Sequence, residues 1–181
     1  MTDTKPQDVL DFWREGGPDR WFNKDEAFDT RIRERFADTV EAARRGELDG
    51  WADTPDGLLA LVIVLDQFPR NLFRNDARAF ASDEMGIALA RRAHARGLVD
   101  AMPDDLAVFA LMPLMHSERI ADQDLCVAAM LRPAWADNHR FARVHREAIA
   151  RFGRFPHRNA VLGRHTTPAE RDYLENGGFG G

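Results

Sequence analysis

Residues Leu58 to Leu65 form an unbroken run of eight apolar side chains. No side of such a segment can face water without exposing large aliphatic groups, so it must be packed between other elements on every side. Thr54-Pro55, just ahead of it, supplies a capping hydroxyl and then a proline at the first helical position. The run therefore reads as a buried helix rather than a strand. It is far short of the roughly 20 residues that cross a bilayer. The start, Met1-Thr2-Asp3-Thr4-Lys5-Pro6, lacks the basic-then-apolar order of a secretory signal. A cytoplasmic protein with no membrane partner is the expectation.

Helix start and stop signals recur along the rest of the chain, while strand signals are nearly absent. Pro6 fits a first helical position, with Val9, Leu10, Phe12 and Trp13 forming an apolar side before Gly16-Gly17-Pro18. Asn23 with Glu26 forms a capping-box pattern, followed by Phe28, Ile32, Phe36 and Val40 at helical spacing and a stop at Gly46. Pro69 should keep the third helix from running on undisturbed. Ser82 or Asp83 caps a fourth helix that ends at Gly97, and Pro103 opens a fifth. A sixth spans about Ser117 to Leu131. Phe141, Val144, His145, Ala148, Ile149 and Phe152 make one stripe of a seventh, closed by Gly153. Thr167-Pro168-Ala169-Glu170 starts a short last one. Six to eight helices joined by Gly/Pro turns predict a single all-α domain over residues 1–181, stacked as antiparallel pairs.

Charge and motif content exclude several function classes. The net charge of −5 argues against nucleic acid or an anionic membrane as a partner, because both need a basic footprint. A single cysteine cannot form an internal disulfide or a thiolate zinc cage. There is no H-E-x-x-H, P-loop, G-x-S-x-G or dinucleotide fingerprint, and no metal or cofactor is expected. Cys126, among Leu125, Val127 and Ala128, reads as a small buried hydrophobe. The four tryptophans read as anchors between helices.

The informative polar residues sit where a surface role does not explain them. Asp66 and Gln67 directly follow the buried run, and a carboxylate there opposes the helix dipole and needs a partner, for which Arg70 is nearest. His116-Ser117-Glu118 precedes a helix on which Glu118 and Asp122 would share a face and call for a cation opposite. His145 lies on an apolar stripe. Just after it, Phe152-Gly153-Arg154-Phe155-Pro156-His157-Arg158-Asn159 and Gly163-Arg164-His165 place three arginines and two histidines on one proline-stiffened loop. Arginine offers forked donors that match carboxylate and phosphate geometry. Phe68-Pro69-Arg70-Asn71 and Phe155-Pro156-His157-Arg158-Asn159 echo each other, and the two corners are expected to converge on one site.

Several of these motifs occur together and in order: Trp21-Phe22, Phe28-Asp29, Gly46-Glu47-Leu48 before Trp51, Leu65 to Asn71, Pro113 to Glu118 with Asp122-Gln123, and Phe152 to Asn159 through Gly163-Arg164. In this the chain resembles the bacterial domain-of-unknown-function 924 family across nearly its whole length. The resemblance implies an all-helical, tetratricopeptide-repeat-like right-handed array and brings no reaction with it. The family's motif residues fall on Asp66, Gln67, Arg70, Asn71, His116, Glu118, His145, His157, Arg158, Asn159 and Arg164.

Three readings follow. The first is a binding protein that takes a small anionic or zwitterionic molecule on those residues. The second is a polar network that fixes helix register, with function residing in a surface for a protein partner. The third is an acid–base, hydrolase-like enzyme with Glu118 and His116, His145 or His157 as the proton-transfer pair.

Overall fold

The structure, a computed structural model, describes residues 2–180. Among these residues every regular element is helical. In chain order they are α1 (Pro6–Gly16), α2 (Pro18–Trp21), α3 (Glu26–Arg44), α4 (Pro55–Val62), α5 (Phe68–Leu72), α6 (Asp83–Ala95), α7 (Met112–His116), α8 (Ile120–Ala129), α9 (Ala136–Phe152) and α10 (Pro168–Glu175). The all-α class expected from the helix signals is what the chain adopts. The region after Pro103 differs in detail: the expected fifth helix is a succession of turns ending in the 3₁₀ segment Ala107–Ala110. The described residues divide into two compact units. One holds the chain up to Arg74 together with Arg78–Pro113, and the other holds Asn75–Ala77 and the chain from Leu114 onward.

The first unit is built around α4. Thr54 caps it as the sequence suggests, its hydroxyl accepting from the Gly57 N–H at 3.1 Å. The helix packs against α1, α6 and the 3₁₀ turn Asp49–Asp53. None of the eight residues Leu58 to Leu65 is more than 1% exposed. Full burial of each large aliphatic side chain is worth about 2 kcal/mol, which makes this segment the main apolar anchor of the unit. Aromatic rings close the core beside it. Phe12 stacks on Phe28 at 5.1 Å and meets Phe36 edge-on at 5.0 Å, while Trp13 meets Phe109 edge-on at 5.5 Å. The start of α3 lies two residues later than the Asn23 cap expected. Asp25 takes that role, accepting from the Phe28 N–H, while the Asn23 amide is turned back to the Asp19 carbonyl.

Pro69 does not end the helix that contains it. Residues Ile63–Gln67 open into one π turn, in which the Phe68 N–H reaches back to the Ile63 carbonyl, and α5 continues from there. Proline has no N–H to give the Leu65 carbonyl four residues earlier, and its ring crowds that group in α geometry. The wider turn relieves the crowding. The Leu65 carbonyl is then satisfied by the Ser82 hydroxyl, which donates to it at 2.7 Å. Ser82 thus stands at the N-cap of α6 without capping it, because its hydroxyl is committed to α4's continuation.

In the second unit α8 packs along α9. Gly153 ends α9 in the left-handed region at φ +69°, a conformation that favours glycine. Thr167 and Glu170 form the expected capping box at α10. Ala148, Ile149 and Phe155 make a buried cluster against which Tyr173 and Phe179 pack.

The closeness of α4 to its neighbours makes one substitution diagnostic. A Cβ on Gly57 would stand 2.1 Å from the Trp51 carbonyl oxygen, whereas one on Gly86 meets nothing nearer than 3.5 Å. Gly57→Ala is therefore expected to cost about 2 kcal/mol or more in urea unfolding and Gly86→Ala to be near neutral. Equal effects of the two changes would contradict this packing.

Candidate functional site

The sequence-selected residues fall into two sets, one in each unit. Asp66, Gln67, Arg70 and Asn71 belong to the first. Asp66 is fully buried in the π turn, where the Gln67 side-chain amide donates to its carboxylate. Arg70 reaches the Asp66 carboxylate at 3.1 Å and Asp83 on α6 at 3.1 Å. Burial works against the charge on Arg70, but Asp66 and Asp83 more than restore it and hold its pKa above the usual value. Asn71 donates to Asp29 on α3 at 2.8 Å, and Arg74 donates to the same carboxylate at 2.9 Å. Each of the four is hydrogen-bonded, and together they tie the π turn and α5 to α3 and α6.

The second set centres on Glu118. One oxygen of its carboxylate accepts from the Phe155 N–H at 2.9 Å and from Arg164 at 2.8 Å, and the other accepts from the second Arg164 nitrogen at 2.8 Å. This is a forked guanidinium–carboxylate pair, the geometry that arginine suits best. Burial alone would raise the Glu118 pKa. Arg164 and the Phe155 amide outweigh it and hold the group below the usual carboxylate range. The cation that Glu118 was expected to need is thus Arg164. Both ends of the loop that follows Gly153 are clasped to one side chain.

Further bonds set the same loop. The Arg164 N–H donates to the Asn159 carbonyl at 2.8 Å. Arg154 pairs with Glu170 at 2.6 and 2.9 Å, and that carboxylate also accepts from the Thr167 N–H at 2.8 Å and the Asn159 amide at 3.3 Å. The Arg154 hydrogen bonds, chiefly, pull the Glu170 pKa down to about 2. Ser117 is not the N-cap of α8, which begins at Ile120. Its hydroxyl instead donates to Asp122 at 2.6 Å and accepts from the Arg119 N–H at 3.2 Å. Gln123 donates to the carbonyls of Met115 and Ser117, both at 2.7 Å, and so fixes the backbone on either side of His116.

Around this frame stand the histidines. His145 is buried on α9, with Nδ1 at 2.8 Å from the Phe141 carbonyl, so Nδ1 carries the proton and donates. Its ring centroid lies 6.3 Å from that of His116 and 5.6 Å from that of Phe155. Burial, with His116 nearby, lowers its pKa to about 3. His157 is lowered to about 4, first by burial and then by the Arg158 charge, although Glu118 pulls the other way. Both rings are therefore neutral at pH 7. The Arg158 guanidinium lies 4.6 Å over the Phe155 ring. Buried side-chain atoms of this unit that make no hydrogen bond include His157 Nδ1, Asn159 Oδ1 and Gln123 Oε1. A buried polar atom without a partner is costly, and such atoms are uncommon in folded proteins.

Phe179 is the participant that the sequence reading missed. It follows α10 and Gly177-Gly178, and its ring centroid lies 4.0 Å from that of His145 and 5.0 Å from that of His157. The available signal was a glycine pair delivering a lone aromatic. Cys126 behaves as expected: it is buried, and burial lifts its thiol pKa to about 12. Among the described residues no group of His, Cys, Asp or Glu could hold a metal ion, and no helix is long and apolar enough to cross a membrane.

These features define an all-helical protein in which a carboxylate-clasped loop carries arginines and the neutral His157 beside the neutral His145 of α9. The chain belongs to the family described as bacterial protein of unknown function (DUF924), whose model matches residues 9–178. It is similar to a solved structure of a protein of unknown function, ATU0120 from Agrobacterium tumefaciens, with 45% sequence identity and a TM-score of 0.89 over 95% of this chain and 97% of that one. No curated protein matches the chain significantly.

The neutral histidines give stability a definite pH dependence. A folded pKa below the unfolded value means that the unfolded chain binds the extra proton first. The contribution of His145 is complete above about pH 6.5 and is lost as pH falls toward its folded value of about 3. Over that window each such histidine costs about 1 kcal/mol per pH unit. Urea unfolding at pH 7 and pH 5 should show His145→Phe losing less stability on acidification than the native protein. Identical pH slopes would show that His145 is not held neutral.

Proposed function

We propose that the protein is a cytoplasmic binder of a small zwitterionic or anionic molecule, held by His116, Glu118, His145, His157, Arg158 and Arg164 of the second unit. The observation that carries this reading is His157 Nδ1. It is buried and unpartnered, in a ring that burial keeps neutral. A neutral imidazole nitrogen can accept from an ammonium or hydroxyl group, or donate to a carboxylate, so a bound molecule is the simplest partner for it. Arg158 and Arg164 supply positive charge for a ligand carboxylate, Arg164 while its fork stays paired with Glu118. A tetratricopeptide-like stacking of helices suits such a use, since it presents side chains from successive elements to one ligand.

The state of Glu118 favours binding over acid–base chemistry. A general acid at neutral pH needs a raised pKa and a free oxygen beside the reacting group. Glu118 has a lowered pKa, and both its oxygens are engaged by Arg164 and Phe155. It fits the role of a permanent anion that orients Arg164.

Isothermal titration against a panel of amino acids and small carboxylates tests the proposal. A ligand found with the native protein should bind about tenfold or more weakly to Arg164→Lys, which keeps the charge but loses the fork, and to His157→Phe. Unchanged affinity in both variants would defeat the reading.

A further inference from the structure

The segment after α10 sits in the second unit in a way that calls for a reason. Gly177 adopts φ +82°, and a Cβ on Gly178 would stand 2.5 Å from the Tyr173 carbonyl oxygen and 2.6 Å from its ring. Only glycines fit this path without strain. The Gly178 N–H donates to the Tyr173 carbonyl at 2.8 Å, and the Phe179 N–H donates to the Tyr173 hydroxyl at 2.9 Å. The effect is to lay the Phe179 ring against three others. Its centroid is 4.0 Å from that of His145, 5.0 Å from that of His157 and 6.1 Å from that of Phe155, meeting the last two edge-on. Yet Phe179 remains partly exposed. This ring packs on the buried cluster and at the same time lies against two neutral imidazoles at its edge.

We propose that Phe179 occupies an aromatic subsite of this cluster, and that the ligand is an aromatic carboxylate or aromatic amino acid whose ring takes the place of the Phe179 ring. The inference rests on the binding reading above and adds to it the chemistry of the ligand's apolar half. Neutral imidazoles and Phe155 offer flat faces and edges that suit a ring. Arg158 and Arg164, on the same loop, supply the positive charge that the carboxylate meets, Arg164 while still paired with Glu118. Displacing Phe179 breaks its backbone hydrogen bonds to the Tyr173 hydroxyl and to His157, a cost that the incoming ring's own contacts with His145, His157 and Phe155 must offset.

Three probes separate the parts of this claim: 3-phenylpropionate carries ring and carboxylate, propionate the carboxylate alone, and benzyl alcohol the ring alone. Phe179→Ala vacates the subsite directly. Gly178→Ala dislodges the segment while keeping the phenylalanine, and it serves if the first variant folds poorly. In isothermal titration either variant should bind 3-phenylpropionate about tenfold more tightly than the native protein, with a gain for benzyl alcohol and none for propionate. Equal affinity of native and variant proteins for 3-phenylpropionate would overturn the inference, as would an equal gain for propionate. The underlying reading fails separately. If the ring-bearing probes gain but Arg158→Lys and Arg164→Lys leave 3-phenylpropionate unaffected in the Phe179→Ala background, the aromatic subsite stands and the anion site does not.

Discussion

One carboxylate organises the second unit. Glu118 lies in the short connection before α8 and accepts hydrogen bonds from the two ends of a loop that are nine residues apart, the Phe155 amide and the Arg164 guanidinium. A loop of that length has no reason to bury its one imidazole, that of His157, by itself, because burial strips it of water. The clasp supplies the constraint. With both ends fixed, His157 is turned toward Phe179, Arg158 lies over Phe155, and Asn159 is drawn to Glu170. A half-buried forked pair is worth more in direction than in energy. Its value here is that it sets where the other groups point.

The first unit solves a related problem by different means. A helix apolar on every side must end or adjust at Pro69, and the chain widens it into one π turn. The turn leaves Leu65 to Ser82 and presents Asp66 and Gln67 within the packed interior, where Arg70 answers the charge. Asp29 plays the corresponding part between α3 and α5 through Asn71 and Arg74. Every one of these polar groups has a partner of opposite character at short range. The second unit keeps His157 Nδ1, Asn159 Oδ1 and Gln123 Oε1 without a hydrogen bond, as the first keeps Trp13 Nε1 and Arg44 Nε; what sets the second apart is that one of these atoms belongs to a neutral imidazole.

Much of the fold was legible because its signals are local. Thr54-Pro55, Gly153 and the Thr167–Glu170 box declare helix ends through groups only a few residues apart, and all three behave as written. The candidate residues were legible as misplaced charge: Asp66 beside an apolar run does find Arg70. What local pattern cannot supply is the partner chosen across long sequence separations. Glu118 reads as half of a pair with Asp122 at helical spacing, but it lies ahead of α8 and takes Arg164, 46 residues away. Ser82 looks like a cap and Ser117 stands where the sixth helix is expected to begin, yet their hydroxyls go to Leu65 and Asp122. Phe179 carries no motif. Its role depends on two glycine conformations and on the ring of Tyr173, which only three dimensions bring together.

Histidine titration followed by NMR in the native protein and in Glu118→Gln tests the clasp most directly. Native His145 and His157 should titrate near 3 and 4. Electrostatics alone would lower the His157 pKa further once the Glu118 charge is removed, since that charge raises it. If the clasp is what keeps the loop in place, water enters on its loss and both values instead rise toward the ordinary 6.5 or so. Native histidines titrating near that ordinary value, or a His157 pKa that falls in Glu118→Gln, would contradict the account.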